Sequence, residues 1–321
     1  SKGGIIWNIN HGNITDEKSL KLLLDMRNID NDPQKEVIAC ICDMLRKDKH
    51  SITLFDHDGR MIWKRMMSPK FTFSKIDINN YFRPSPAKFG RTNTNEIFVI
   101  SKWNHQERFL SIIACHDLEG NLVSQYHHVG NLSSTLELID LNGDGGDEIV
   151  FTGTNNLLNG EGIVGVLPLR TFYGISPPYR VEPEYSHLEF RLNDYLADEI
   201  IRGNHLVYLR FKRTDHLSRY MPQYITPVIR YFSNNVIHIN LQLWKLTPNK
   251  AQIGFGYVFD KNFTLHRILP PDVILEKYHG LLKNGEIDIP LKELMNIYSK
   301  IVLRWEPGSE RWVPVKRAHS N

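Results

Sequence analysis

Nine consecutive residues carry the most legible chemistry in the chain. Asp140-Leu-Asn142-Gly-Asp144-Gly-Gly146-Asp-Glu148 places side-chain oxygens at positions 1, 3, 5 and 9 of a short loop and offers the backbone carbonyl of Gly146 at position 7. Alternating hard oxygen donors on a glycine-rich turn suit calcium, which takes about six to eight oxygens. A turn without an ion accounts for Asp, Asn and Gly in such a stretch, but not for their alternation. Three carboxylates against a divalent cation leave about one excess negative charge, which predicts useful rather than extreme affinity. An EF-hand is excluded, because no clear helices flank the loop and its twelfth position is Phe151 rather than Glu.

The same pattern recurs upstream. Asn28-Ile-Asp30-Asn-Asp32-Pro-Gln34-Lys-Glu36 aligns with the loop and gives a second, weaker candidate site at Asn28, Asp30, Asp32, Gln34 and Glu36, with Pro33 in place of a turn glycine and Lys35 as an opposing charge. A third copy, ending at Glu96, keeps the glutamate and the following strand but no other acidic residue, so it is expected to hold no ion.

A second landmark repeats in phase. Ile52-Thr-Leu-Phe-Asp56-His-Asp-Gly59-Arg-Met-Ile62 aligns without gaps on Ile113-Ala-Cys-His-Asp117-Leu-Glu-Gly120-Asn-Leu-Val123, each a strand, an Asp-x-x-Gly turn and a strand. The unit is therefore about four strands in roughly 50 to 60 residues, the size of a β-propeller blade. Beyond Arg170 the repeat blurs, although Tyr257–Leu265 and Leu303–Trp312 still read as hairpins. Helical patterns are confined to Asp16–Met26, Pro271–Leu282 and Leu291–Lys300. The expected fold is all-β: one β-propeller domain over residues 1–321, of about six or seven four-stranded blades, clear over 1–170 and divergent over 171–321. Ile5–Asn8 is expected to add a strand to the last blade.

The acidic loop followed by Glu148-Ile-Val-Phe resembles the FG-GAP repeat, the integrin-alpha-type or VCBS-like propeller unit. That resemblance implies a calcium ion between blade strands, held by Asp140, Asn142, Asp144, the carbonyl of Gly146, and Glu148.

Composition narrows the partners. Lys and Arg number 39 against 36 Asp and Glu, a balance that argues against binding a nucleic-acid backbone or an acidic membrane surface. No apolar run approaches the roughly 18 residues that span a bilayer, and the first residues are neither a signal peptide nor an initiator Met, so the chain is expected to be a piece of a larger, membrane-anchored protein. Cys40, Cys42 and Cys115 make no disulfide framework.

Other signals are weaker. Gly160-Glu-Gly162-Ile-Val-Gly165 matches a dinucleotide fingerprint by letter but precedes a strand. His127-His128 would face opposite ways on a strand, so solvent or loop positions are expected rather than a metal pair. The stretch Tyr208–Tyr220 interleaves aromatics with Arg210, Lys212, Arg213 and Arg219, as an edge strand with a solvated loop or as the wall of an anion or sugar site. No GxSxG, HExxH or phosphate-binding loop is present. The expectation is a non-catalytic, extracytoplasmic module, a sensor or adhesion domain binding a protein or carbohydrate. The alternative is a carbohydrate-active propeller enzyme, a hydrolase or lyase with carboxylates converging in a central funnel.

Overall fold

One turn closes three hairpins. Asp56 N–H donates to Arg60 O and Gly59 N–H to Asp56 O, both at 3.0 Å, while Asp56 Oδ1 accepts from Arg60 N–H. Asp117, Gly120 and Asn121 repeat this set, as do Asp260, Phe263 and Thr264. The fourth residue of each turn is left-handed, with φ of 79° at Gly59, 81° at Gly120 and 59° at Phe263. The repeat thus reaches the second half of the chain, although Phe263 has replaced the glycine suited to that conformation.

The computed structural model describes residues 20–30, 32–43, 50–66, 82–105, 110–180, 182–188, 200–213, 224–233, 236–244, 251–270, 272–285 and 288–318. Among these, four antiparallel sheets follow one another along the chain. Sheet 1 is the meander β1 (Leu20–Arg27), β2 (Glu36–Asp43), β3 (Ser51–Phe55), β4 (Met61–Arg65). In sheet 2, β5 (Phe82–Pro84) and β6 (Lys88–Arg91) both pair with β7 (Ile97–His105), followed by β8 (Ser111–His116) and β9 (Leu122–His128). Sheet 3 begins with β10 (Leu132–Ile139), β11 (Glu148–Asn155), β12 (Glu161–Pro168) and β13 (Val207–Phe211). Sheet 4 is β14 (Tyr224–Ser233), β15 (Val236–Trp244), β16 (Ala251–Asp260), β17 (Leu265–Leu269). Helices α1 (Asp272–Lys283) and α2 (Leu291–Lys300) follow, close to where the sequence puts them. Strands β18 (Val302–Glu306) and β19 (Arg311–Pro314) then return to extend sheet 3.

Alternate residues of the central strands enter different cores, so these strands are buried on both faces. On β8, Ile112 and Ala114 pack toward sheet 1, and Ile113 and Cys115 toward sheet 3. On β11, Ile149 and Phe151 face sheet 2, and Val150 faces sheet 4 and the helices. Consecutive sheets therefore stack face to face, with one apolar cluster between each pair.

Three expectations are corrected. Among the described residues four sheets stand where the repeat length predicts six or seven blades, and the Glu306 hairpin adds to the edge of sheet 3 rather than founding a sheet. The Asp16–Met26 helix is, within the described residues, strand β1, paired in register with β2 from Leu20↔Asp43 to Arg27↔Glu36; Asp16–Ser19 and Ile5–Asn8 lie outside them. Strand β13 is interior, held between β12 and β18, not an edge.

Sheet 1 leans on the hairpin of sheet 2. Trp63 Nε1 donates to Leu118 O at 3.0 Å and Arg65 Nε to Gly120 O at 2.7 Å. A Cβ at Gly120 would lie 2.7 Å from Trp63 Cγ, besides straining its positive φ. Gly120→Ala should lower stability by about 2 kcal/mol in denaturant unfolding, and an unchanged midpoint would contradict this packing. Burial also pushes His116, His127, His128 and His205 down to about 4, 3, 4 and 4. As pH falls below about 6.5 the unfolded chain takes up protons that the folded protein refuses, so stability present at neutral pH is lost toward pH 4. The raised carboxyls of Glu148 and Glu182 oppose this, two against four. A denaturation midpoint clearly lower at pH 5 than at pH 7 is the expected readout.

Candidate functional site

In sheets 1 and 3 the acidic loop joins the first strand to the second, and in sheet 2 the corresponding Glu96 loop joins β6 to β7; the strand that follows each loop begins at or just after the glutamate. The two acidic loops agree bond for bond. Leu141 N–H donates to Glu148 Oε2 at 2.8 Å, as Ile29 N–H does to Glu36 Oε2 at 2.9 Å. Asp144 N–H donates to Asn142 Oδ1, as Asp32 N–H does to Asp30 Oδ1. Gly146 N–H donates to Asp144 Oδ1, as Gln34 N–H does to Asp32 Oδ1. Asn28 Nδ2 also donates to Asp32 O.

Within the Asp140 loop the carboxylate of Asp140 turns inward and accepts from the amides of Gly143, Asp144 and Gly145. Asn142 Nδ2 lies 3.2 Å from Asp144 Oδ2 and 3.0 Å from Glu148 Oε1, so these three side chains converge. Glu148 is held above the usual carboxylate range, first by burial and then by the negative charges of Asp144 and Asp140, against the Leu141 amide. Carboxylates crowded in this way gain from a cation among them. The loop also reaches across to sheet 2: Asn93 Nδ2 donates to Asp144 Oδ2 at 3.3 Å, Arg91 N–H to Asp147 Oδ2 and Asp147 N–H to Arg91 O, both at 2.8 Å. A Cβ at Gly146 would lie 2.8 Å from Asn93 N, so the close approach of the two loops requires glycine there. In the third loop Glu96 pairs with Arg170 at 2.9 Å, a cation supplied by the chain itself.

The upstream loop is the more closed of the two. Asp32, Glu36 and His57 bring one ligand atom each within 4.8 Å of one another, a grouping that Asp140, Asp144 and Glu148 do not reach. His57 belongs to the β3–β4 turn. In a meander the first and third connections lie at the same end of the sheet, which is why His57 meets the Asn28 loop. The signal was present in the sequence, since His57 stands where the aligned turn has Leu118.

A second candidate lies elsewhere, along sheet 3. It is a groove of about 1080 Å³ walled by Tyr179, Trp305 and Trp312, with Glu182, Glu184 and Arg202 among its polar lining. Beneath it sits Arg210, only 1% exposed. Its Nε donates to Glu161 Oε2 at 2.5 Å, Nη1 to Glu182 Oε2 and Nη2 to Glu184 Oε1, both at 2.8 Å. Its guanidinium also lies 5.6 Å from the Tyr185 ring centre and 5.4 Å from that of Trp312. Burial works against this charge, yet the carboxylates raise the guanidinium's hold on its proton. Burial pushes Glu182 up despite Arg210, whereas Glu184, against its own burial, is drawn down to about 2 by Lys212 and Arg210.

Two groove carboxylates shifted in opposite directions could serve as an acid and a base. Their oxygens are already engaged, however. Glu182 Oε1 accepts from Trp312 Nε1 and Oε2 from Arg210, while Glu184 Oε1 accepts from Arg210 and Oε2 from Lys212. The arrangement is a rigid polar floor under an aromatic wall. The sequence named Arg210, but as part of a solvated or ligand-facing stretch; it is buried, and residues 214–223, with Arg219 and Tyr220, lie outside the described residues. His127 and His128 do face opposite ways on β9, but both are buried, and His128 Nε2 lies 2.9 Å from Thr154 O. In the glycine-rich stretch, Gly162–Gly165 lie in strand β12 and Glu161 accepts from Arg210, Tyr185 Oη and Arg213 N–H.

No family model and no curated protein matches the chain. A crystal structure of a protein of unknown function from Bacteroides caccae aligns at 10% identity over 74% of this chain and 79% of that one, with a TM-score of 0.22, too low to bear on the fold.

Proposed function

We propose that the chain is a calcium-stabilised binding module of the β-propeller type, akin to FG-GAP repeat proteins, that holds a carbohydrate in the groove of sheet 3. The observation that carries this reading is the groove itself: three aromatic rings beside charged groups that are already fixed by one another. Sugars present apolar C–H faces that stack on aromatic rings, and hydroxyls that bond to planar carboxylate and guanidinium groups. Binding is favoured over hydrolysis because Glu182 and Glu184 have both oxygens committed to Arg210, Trp312 and Lys212, whereas a glycosidase needs two carboxyls presented to the substrate.

The propeller reading is supported by the stacked antiparallel sheets and by acidic loops at the first connections of sheets 1 and 3, with the Glu96 loop leading into β7 of sheet 2. Calcium at the Asp140 loop is supported by its all-oxygen donor set and crowded carboxylates; Asp140, Asn142, Asp144, the Gly146 carbonyl and Glu148 would hold it. Bound there, the ion supplies positive charge that neutralises the loop. Asn93, Arg91 and Asp147 carry that stiffening from sheet 3 to sheet 2. Sites of this charge suit millimolar calcium, which favours a setting outside the cytoplasm.

Calcium should raise the thermal midpoint over that in chelator, and Asp144→Ala should remove most of the rise. Equal midpoints with calcium and with chelator would refute the calcium reading. For the groove, Trp312→Ala and Tyr179→Ala should each weaken retention by polysaccharide in affinity electrophoresis by about tenfold, with both variants first shown to be folded by circular dichroism. Unaltered retention in both variants would exclude the groove.

A further inference from the structure

The hairpin turn that meets the upstream acidic loop changes the chemistry of that loop. His57 Nδ1 lies 3.4 Å from Asp32 Oδ2, and Glu36 completes a trio whose ligand atoms all lie within 4.8 Å of one another. A zinc ion about 2.0 to 2.2 Å from its donors sets neighbouring donors about 3.4 Å apart; the His57–Asp32 pair already has that spacing, and a closure of at most about 1.4 Å brings in Glu36. The donors arrive from two connections, the β1–β2 loop and the β3–β4 turn, so the cluster is not a property of one acidic loop.

We propose that Asp32, Glu36 and His57 form a site for a zinc-class divalent cation, distinct in chemistry from the Asp140 loop. Imidazole nitrogen is a donor for zinc and its transition-metal neighbours, while calcium takes oxygen. The surroundings of each donor match that use. His57 Nε2 lies 3.5 Å from Asp58 Oδ1, a carboxylate on the far side of the ring, while Nδ1 faces Asp32. Asp32 Oδ1 accepts from Gln34 N–H at 2.7 Å while Oδ2 faces His57. Glu36, 2% exposed, is fixed by the Ile29 amide at 2.9 Å. Three protein donors leave a fourth tetrahedral position to water, at a place where Asp32 and His57 are partly exposed. The Glu96 loop of sheet 2 lacks the feature, since Leu118 stands at the position of His57 in the second hairpin and Arg170 pairs with Glu96.

The test is calorimetric titration of zinc chloride into the chelator-stripped, buffer-exchanged protein, compared with His57→Leu, Asp32→Asn and Asp144→Ala. One zinc per chain is expected in the wild type, weakened at least about tenfold by His57→Leu and by Asp32→Asn and unaltered by Asp144→Ala. A parallel calcium titration should reverse the pattern, losing affinity in Asp144→Ala and keeping it in His57→Leu. Asp32→Asn preserves shape, so it reports on the site even if the histidine variant folds poorly. Zinc binding equal to wild type in both Asp32→Asn and His57→Leu overturns the proposal, as does zinc binding that is lost in Asp144→Ala. Failure of the calcium arm alone refutes calcium at Asp140 and leaves the zinc site standing.

Discussion

A guanidinium buried among aromatic rings is tolerable only if its charge is met on several sides, and Arg210 meets that condition by drawing three carboxylates around it. The requirement organises sheet 3. Glu161 comes from the start of β12, Glu182 and Glu184 from the long connection that follows that strand, and the Trp312 ring from β19. Removing one carboxylate would leave charge uncompensated, a far larger loss than the net worth of any one pair. The groove exists because these pieces are held at fixed positions above the arginine, so its floor is stiff and its polar groups are prearranged.

The second constraint is the parity of a meander. In sheet 1 connections one and three fall at one end, and in sheet 2 the β6–β7 loop and the β8–β9 turn do the same, which gathers the glutamate-ended loops and the Asp-x-x-Gly turns into the same neighbourhood. Two unlike outcomes follow from this single arrangement: in sheet 1 a turn histidine meets an acidic loop, and between sheets 2 and 3 the loops themselves interlock through Asn93 and Asp147.

The sequence was legible where local chemistry dictates backbone shape. Asp56, Asp117 and Asp260 each bond their own turn, and Glu36 and Glu148 each close their own loop, so turns and loop register could be read without tertiary information. Strand β1 was misread because Leu20-Lys-Leu-Leu-Leu-Asp-Met-Arg27 has no period-two alternation; on this edge strand Leu22, Leu24 and Met26 are all exposed. The sheet count was misjudged because a hairpin does not disclose which edge it will join. Arg210 and His57 were beyond local reading for the same reason: their partners lie 26 to 49 and 25 residues away along the chain.

The three apolar clusters, one between each pair of neighbouring sheets, make the molecule a nearest-neighbour array. An end sheet contributes to one interface and an interior sheet to two, so peeling sheet 1 from the array exposes a single cluster, whereas displacing sheet 2 or sheet 3 exposes two. Cooperativity is therefore graded along the chain, with fraying cheapest at the end sheets and displacement costliest for sheets 2 and 3. The interlocked loops join those two sheets, so electrostatic fastening is concentrated on the sheets whose displacement already costs most.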